Sequence, residues 1–187
     1  AMKLEPGEVY LSPLDLNVDQ GKIEIPYKPV LRLATPLADR HGVRRGIVIL
    51  NYLGSEMLDA FATATAGIGD HAMLLNGDGY WLKSPRPEEE WGFMFQRKET
   101  LGSRAPDAWS AIKAGASGQI RTAEGLWTWD TVDPLPAGRR TGATAAPGPP
   151  MASGNHGWKV VAHLSADSLV EVQMQTWLRL GAVALGL

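Results

Sequence analysis

The sequence predicts an α+β fold in which antiparallel sheets carry flanking helices. Two runs with strand character, Pro29–Pro36 and Arg45–Leu53, flank a polar turn, which is typical of an antiparallel hairpin. The next segment, Ser55–Thr65, has apolar side chains at helical spacing, with Ser55 as a candidate cap. A second hairpin is predicted where Gly77-Asp78-Gly79 separates two short apolar runs. Strands that are joined by turns this short pair in antiparallel fashion.

The remaining elements are predicted from alternation, turn residues and helix stops. Pro106 lies near the first position of a helix that Gly115 ends. Trp127, Trp129 and Thr131 share one face of a later strand. In chain order we predict strands at Val9–Leu11, Lys22–Ile25, His71–Asn76 and Tyr80–Lys83, a helical turn at Trp91–Phe95, a helix at Ala105–Ala114, strands at Gln119–Thr122, Leu126–Val132 and Trp158–Leu164, and a helix from Ser165 onward.

Composition excludes several classes of function. With 187 residues, 44% of them hydrophobic and 20% charged, the chain has the composition of an ordinary globular protein. A net charge of −2 provides no basic surface for nucleic acid. The absence of cysteine excludes disulfides and thiolate metal sites. The histidines show no metal-ligand spacing, and no nucleophile elbow or phosphate-binding loop is present, so neither catalysis, a metal nor a cofactor is predicted.

The last third of the chain contains two segments of unusual composition. Pro134–Gly157 is rich in Pro, Gly, Ala and Thr without periodicity, which predicts a flexible loop. Leu180–Leu187 is uncharged, but it is shorter than the roughly 20 residues that a helix needs to cross a bilayer. We interpret it as the start of a transmembrane helix, with a buried core helix as the alternative.

Several long segments resemble one family of bacterial sensors. Val9–Asn17, Gly21–Leu37 and Arg45–Gly54 are similar to the double-Cache (PDC-type, PAS-like) sensor regions of bacterial membrane histidine kinases and diguanylate cyclases. Leu74–Phe95 resembles the opening of the second, membrane-proximal PAS-like module in the same proteins. The resemblance is looser in the later strands.

The resemblance implies two stacked PAS-like modules in the periplasm, followed by a transmembrane helix and a cytoplasmic output domain. We therefore expect a partial membrane-distal module at 1–66, a membrane-proximal module at 67–165 that includes the loop at 134–157, and a juxtamembrane helix with the start of a transmembrane helix at 166–187. The family's long N-terminal helix, its first transmembrane helix and the first hairpin of the distal module are expected before residue 1. Without an output domain, kinase and cyclase are not distinguished.

Arg32, Tyr27 and Tyr52 are the candidate ligand-binding residues of the distal module. An arginine in a half-buried strand needs an anionic or polar partner, because burying an unpaired guanidinium is costly. Arginine binds carboxylates through two parallel hydrogen bonds, and tyrosines can close over small organic ligands. The alternative is a structural ion pair of Arg32 with Asp39 or Glu24, with both tyrosines as half-buried strand residues.

Aromatic side chains dominate the candidate site of the proximal module, which consists of Tyr80, Trp81, Trp127, Trp129 and Asp130. Aromatics on paired strands can line a pocket that has a few polar groups at its rim. The alternative is that the tryptophans form the core of a five-stranded sheet. Nearby, we interpret Asn76–Gly79 as a tight turn, since the ligand spacing of a calcium loop is missing, and Glu88–Glu90 as a solvated charge run.

The expected function is signal sensing by a non-enzymatic, periplasmic region of a receptor in the bacterial inner membrane. A small ligand, for example a carboxylate or an amino acid, would favour one packing of the modules, and the C-terminal helix would relay this state to a kinase or diguanylate cyclase. A homodimer and membrane attachment through that helix are expected, and no nucleic-acid partner. The alternative is a ligand-free PAS-like module for dimerisation or protein interaction.

Overall fold

The computed structural model describes residues 4, 8–132, 151–153 and 157–170. The chain packs as two compact units, of which the first comprises Ala1–Ala66, Met94–Gln96 and Asp133–Gly157 and the second Gly67–Phe93, Arg97–Val132 and Trp158–Leu187. Most of the predicted loop at 134–157 lies outside the described residues, as does the whole apolar run at 180–187. Within the described part, no helix is long and apolar enough to cross a membrane.

The predicted strands and helices occur in the predicted order, with further short elements between them. The elements are β1 (Val9–Leu11), β2 (Asp15–Leu16), β3 (Val18–Asp19), β4 (Lys22–Ile23), β5 (Pro29–Ala38), β6 (Arg44–Leu53), α1 (Gly54–Ala64), β7 (Ala72–Leu75), β8 (Trp81–Lys83), α2 (Leu101–Arg104), α3 (Pro106–Ala114), β9 (Ser117–Thr122), β10 (Gly125–Val132), β11 (Met151–Ser153) and β12 (Trp158–Ser165). Short 3₁₀ segments lie at Ala66–His71, Pro87–Glu89 and Gly92–Phe95. A further helix begins at residue 166.

The first unit is built on the predicted hairpin, which is confirmed. β5 and β6 pair in antiparallel fashion along their whole length, with Leu33 opposite Leu50. The other edge of β5 pairs with β1 and β2, and β1 pairs in parallel with β11. Buried Leu11, Leu16 and Leu31 hold this sheet together.

Helix α1 starts one residue before the predicted position. Leu53 occupies its cap position without a side-chain hydrogen bond, and Ser55 lies inside the helix, so the predicted Ser55 cap is wrong. Gly54 is closely packed, since a Cβ atom there would lie 2.4 Å from Leu14 Cδ1 and 3.1 Å from Pro29 Cβ.

Strand β6 carries an exposed apolar surface. Ile49 and Leu50 are 61% and 62% exposed, although they lie on opposite faces of the strand. Within the described residues β6 pairs with β5 alone, so its outer edge offers unpaired backbone groups. Long apolar edge strands of this kind promote self-association.

We expect Ile49→Lys or Leu50→Lys to increase the monomeric fraction of the chain. Because both side chains are exposed, the free energy of unfolding should change by no more than about 0.5 kcal/mol. Size-exclusion chromatography with urea unfolding measures both quantities. Leu31→Lys, at a 4% exposed position of the paired strand, is the matched control and should destabilise the fold. Unchanged association in both β6 variants would contradict this prediction.

The second unit is a five-stranded antiparallel sheet in the order β8-β7-β12-β10-β9. Its central strands β10 and β12 place Trp127 opposite His163 and Trp129 opposite Val161. The predicted alternation of β10 is confirmed, since Trp127 and Trp129 are buried while Thr128 and Asp130 are exposed. The tryptophan face packs on α2 and α3 in a core that comprises Leu75, Trp81, Leu101, Ala105, Ala108, Ile112, Trp127, Trp129 and Val161.

Candidate ligand-binding site

A cavity of about 360 Å³ lies in the second unit. Its walls come from β7, β8, the 3₁₀ turn after β8, α2, the β9–β10 turn, β10 and β12. The apolar part of the lining includes Met73, Trp81, Leu101 and Trp127. Its polar groups fall into two clusters, each held together by its own contacts.

The first cluster, which we call the arginine cluster, consists of Arg86, Glu89 and Arg104. Arg86 Nε lies 2.6 Å and Arg104 Nη1 lies 2.9 Å from the same carboxylate oxygen, Glu89 Oε1. The other oxygen, Oε2, accepts a hydrogen bond from Ser84 Oγ at 3.1 Å. The guanidinium of Arg104 lies over the Trp81 ring, 4.6 Å from its centroid. Trp81 itself is 2% exposed, so the cluster rests on a buried aromatic face.

The backbone around Glu89 is held by a second set of contacts. Pro87–Glu89 forms a 3₁₀ turn, and the Arg97 guanidinium donates to the carbonyl oxygens of Glu88 and Glu90. The side chain of Glu89 is 9% exposed, and Glu90 accepts from the Ser84 backbone N–H at 3.1 Å. The interpretation of Glu88–Glu90 as a solvated charge run is therefore wrong for Glu89 and Glu90. Glu89 pairs with Arg86 and Arg104, and Glu90 pairs with Lys83, so both neighbouring and more distant basic side chains hold these carboxylates.

The second cluster, which we call the histidine cluster, consists of His163, Trp127 and Glu124, with Asp70 and His71 also lining the cavity. The His163 ring stacks on Trp127, with centroids 3.7 Å apart and an angle of 12° between the planes. His163 Nε2 lies 3.1 Å from the Glu124 carbonyl oxygen. The same carbonyl oxygen accepts from the Ala166 N–H at 3.0 Å. One acceptor thus joins the cavity wall to the first residue of the C-terminal helix.

Burial lowers the pKa of His163, and the hydrogen bond to the Glu124 carbonyl and the Glu124 carboxylate only partly oppose this effect. Between the lowered pKa and the usual 6.5, the unfolded chain binds more protons than the folded chain. The contribution of His163 to stability is therefore fully present above pH 6.5 and is lost as the pH falls below that value and through the lowered pKa of the folded chain.

We expect His163→Gln to reduce the loss of stability that accompanies acidification from about pH 7.5 to about pH 5. Urea unfolding at the two pH values measures the difference between the wild-type chain and the variant. His41→Gln, in the exposed turn between β5 and β6, is the control for a histidine substitution outside the cavity. An equal loss of stability in the wild type and in His163→Gln would refute the role of His163.

Two of the candidate residues of the proximal module, Trp81 and Trp127, line the cavity. Trp129 packs in the core and donates from its indole Nε1 to the Gly115 carbonyl oxygen at 3.1 Å. Tyr80 packs on Phe93, and Asp130 is exposed on β10, and neither lines this cavity. Trp81 and Trp127 therefore belong both to the core and to the cavity lining, and their role in ligand binding stays a prediction.

In the first unit Arg32 forms a polar cluster with β2. Arg32 Nη1 lies 2.6 Å from Asp15 Oδ1, and Nη2 donates to Asn17 Oδ1 at 3.2 Å. The expected pairing with Asp39 or Glu24 is wrong, because Asp39 pairs with Arg45 and Glu24 with Lys28. Burial raises the pKa of Asp15 by more than the hydrogen bond and charge of Arg32 lower it.

The two tyrosines of the distal candidate site lie apart from this cluster. Tyr52 is opposite Leu31 in the β5–β6 register, so its side chain points to the face of the sheet opposite that of Arg32. Its hydroxyl group donates to Glu56 at 3.2 Å. Tyr27 is 53% exposed and packs on Phe95, with ring centroids 5.5 Å apart. A role of Arg32, Tyr27 and Tyr52 in ligand binding stays a prediction.

Several cavity residues were missed by sequence reasoning. Arg86, Arg104, Glu124 and His163 come from a turn, a short helix, a hairpin turn and a strand, and no spacing in the sequence connects them. The run Glu88–Glu90 was the one feature of the sequence that could have indicated this cluster. A carboxylate that follows a proline in a turn can point toward the protein interior as well as toward solvent. Only the fold brings these groups together.

Comparison with known proteins places these observations in a family. The sequence model of the family described as bacterial histidine kinase, sensor domain, matches residues 1–141. The extracellular domain of a protein described as a histidine kinase, vpHK1S-Z8, is 19% identical with a TM-score of 0.67, and the match covers 91% of this chain and 55% of that one. No curated protein matches the chain.

Two further solved structures show the same fold. A domain of a sensory box/GGDEF family protein from Vibrio parahaemolyticus is 19% identical with a TM-score of 0.66, covering 90% of this chain and 57% of that one. The periplasmic sensory domain of the Campylobacter jejuni chemoreceptor Tlp1 is 15% identical with a TM-score of 0.56, covering 87% and 51%.

The chain thus spans about half the length of the solved domains it matches, at 55%, 57% and 51%. The PAS-like, Cache-like α+β fold that was expected from the sequence is confirmed by this likeness. The family match covers both hairpins and all of the cavity walls except β12. The chain belongs to the bacterial histidine kinase sensor domain family.

Proposed function

We propose that the chain is the signal-sensing, extracytoplasmic region of a bacterial transmembrane receptor and that it binds a small ligand in the cavity of the second unit. The observation that carries this proposal is the cavity itself, about 360 Å³ with two polar clusters on a largely apolar lining. Small-molecule sites are concave and mostly apolar, with a few placed polar groups, and this cavity has that composition. The region acts without catalysis, and a cytoplasmic kinase or diguanylate cyclase in the longer protein supplies the output.

The relay runs from the cavity to the C-terminal helix. Because the Glu124 carbonyl oxygen binds both His163 Nε2 and the Ala166 N–H, a ligand that moves His163 also acts on the helix start. Ser165 supports that start, since its hydroxyl group accepts from the Ser168 N–H at 3.2 Å. A ligand shifts the equilibrium only if it binds one arrangement of these contacts better than the other.

A melting-temperature screen of the chain against small molecules tests the binding step, because a ligand that binds only the folded state raises the melting temperature. We expect at least one class of compound to raise the melting temperature of the wild type but not that of Trp127→Ala. Each shift is measured from the melting temperature of the same protein without ligand. Tyr52→Ala, in the other unit, is the control and should keep the shift. If no compound raises the melting temperature, the module acts as a ligand-free dimerisation or interaction module instead.

The relay step is tested in a fusion of the full receptor region to a histidine kinase core. Scrambling residues 166–179 should uncouple kinase output from the ligand while ligand binding persists. Ligand-dependent output that survives the scrambling would exclude the helix as the relay.

A further inference from the structure

We propose that the cavity selects organic acids that carry a single anionic group, and that Arg86 and Arg104 bind that group. This inference rests on the proposed function, since it names the ligand class of the same cavity. It follows from the charge balance and the free donors of the arginine cluster, and from the acidic groups of the histidine cluster.

The arginine cluster holds more positive charge than its own carboxylate neutralises. Glu89 is the only acidic side chain in contact with either guanidinium among the described residues, and both contact its Oε1 atom. One carboxylate between two guanidinium groups leaves one positive charge at this wall of the cavity. An anion that binds here replaces water around groups that the fold already holds in place, so little further ordering is needed.

Both arginines keep donors for such an anion. In the described contacts Arg86 uses Nε and Arg104 uses Nη1 on Glu89, so terminal N–H groups of each remain available. A guanidinium presents these donors in a planar fork that matches the two oxygens of a carboxylate. The guanidinium carbon of Arg104 lies 4.6 Å from the centroid of the buried Trp81 ring, and this contact holds the group beside the apolar lining.

The histidine cluster restricts the rest of the ligand. Glu124 and Asp70 line the cavity along with the arginine cluster, and each carries a carboxylate. A second anionic group on the ligand would meet these carboxylates, and close like charges are repulsive. The cavity volume, about 360 Å³, also lies near the lower end of the range for ligand sites, which favours small molecules.

The test uses small organic acids, each compared with a corresponding alcohol, amine and diacid. Pentanoate is compared with pentanol, pentylamine and glutarate, and benzoate with benzyl alcohol, benzylamine and phthalate. Calorimetry and melting temperatures of the wild-type chain are expected to show binding of at least one monoacid, with its alcohol, amine and diacid at least about tenfold weaker.

Variants locate the binding groups. Arg86→Gln and Arg104→Gln should each weaken monoacid binding at least about tenfold, since each removes a charged hydrogen-bond donor. Arg121→Gln, exposed on β9 and outside the cavity, is the matched control and should bind as the wild type does. The double variant Asp70→Asn with Glu124→Gln should reduce the difference in affinity between the monoacid and its diacid. Because the side chain of Arg86 is 59% exposed, Arg86→Gln should remain folded and can be tested even if Arg104→Gln unfolds.

The outcomes separate this inference from the proposed function. Binding of alcohols or amines as tight as that of the acids, or monoacid binding that is unchanged in both arginine variants, overturns the anion class but leaves a ligand-binding cavity. If no small molecule of any charge binds, here or in the broader screen, the proposed function fails and this inference fails with it.

Discussion

Gly125→Ala is expected to lower the free energy of unfolding by more than about 3 kcal/mol. A Cβ atom at this position would lie 2.0 Å from the Leu164 carbonyl oxygen and 2.9 Å from two backbone atoms of Ser165. These are main-chain atoms of a paired central strand, so they cannot move aside as a flexible side chain would. The φ angle of +142° adds strain for any residue with a side chain.

Chemical denaturation of the wild type and the variant measures this loss. Gly67→Ala is the matched control within the same unit, because no atom lies within 4 Å of its added Cβ, and its stability should change little. If Gly125→Ala is as stable as Gly67→Ala, the close approach of β10 and β12 does not require glycine at position 125. The carbonyl oxygen of the preceding residue, Glu124, accepts a hydrogen bond from the Ala166 N–H. The substitution should therefore also increase hydrogen exchange at the Ala166 amide.

Trp81→Ala is expected to cost about 3–5 kcal/mol of stability, which is typical when a buried tryptophan is truncated. Trp81 is 2% exposed, lies in the core of the second unit and carries the Arg104 guanidinium on its ring. Its removal leaves a void that joins the existing cavity. It also leaves the arginine cluster without its apolar support.

Trp81→Phe separates the two roles of this residue. The phenyl ring keeps most of the buried apolar area, so the loss should be clearly smaller than in Trp81→Ala. The arginine cluster nevertheless loses the larger ring face of tryptophan. We therefore expect Trp81→Phe to bind a monoacid more weakly although its stability stays close to that of the wild type. Urea unfolding and calorimetry on the same samples measure both effects. Equal stability of the wild type and Trp81→Ala would show that Trp81 is not a core residue.

The paired strands were predictable because their signals are local. Alternating or β-branched runs and their turn residues lie within one short stretch of chain, as in β5 with β6 and in β7 with β8. At the second hairpin, Asn76 Oδ1 accepts from the Asp78 and Tyr80 N–H groups, which confirms the tight turn. The short strand β2 and the short helix α2 were missed, because two and four residues are too few to show a period.

The candidate site was predictable only in its aromatic part. Trp81 and Trp127 lie on strands whose faces can be assigned from alternation, so they were found. The polar groups of the cavity were not found from the sequence, because Glu89 and Arg104 meet only after α2 packs beside the turn that follows β8. Arg32 was correctly singled out as needing a partner, but its partner Asp15 belongs to the missed strand β2.

The sequence alone determined the α+β class, the order of the longer strands and helices, and the burial of one face of β10. These properties depend on side-chain periodicity and turn chemistry, which act between residues close in the chain. Tertiary structure decided which charges meet. Lys159, on the buried strand β12, donates to the Gly115 and Thr131 oxygens at 2.7 Å, and the two arginines converge on Glu89. Apart from the Arg86–Glu89 pair, these contacts join residues far apart in the chain, so no local pattern encodes them. The two arginines and Glu89 form part of the polar lining of the cavity.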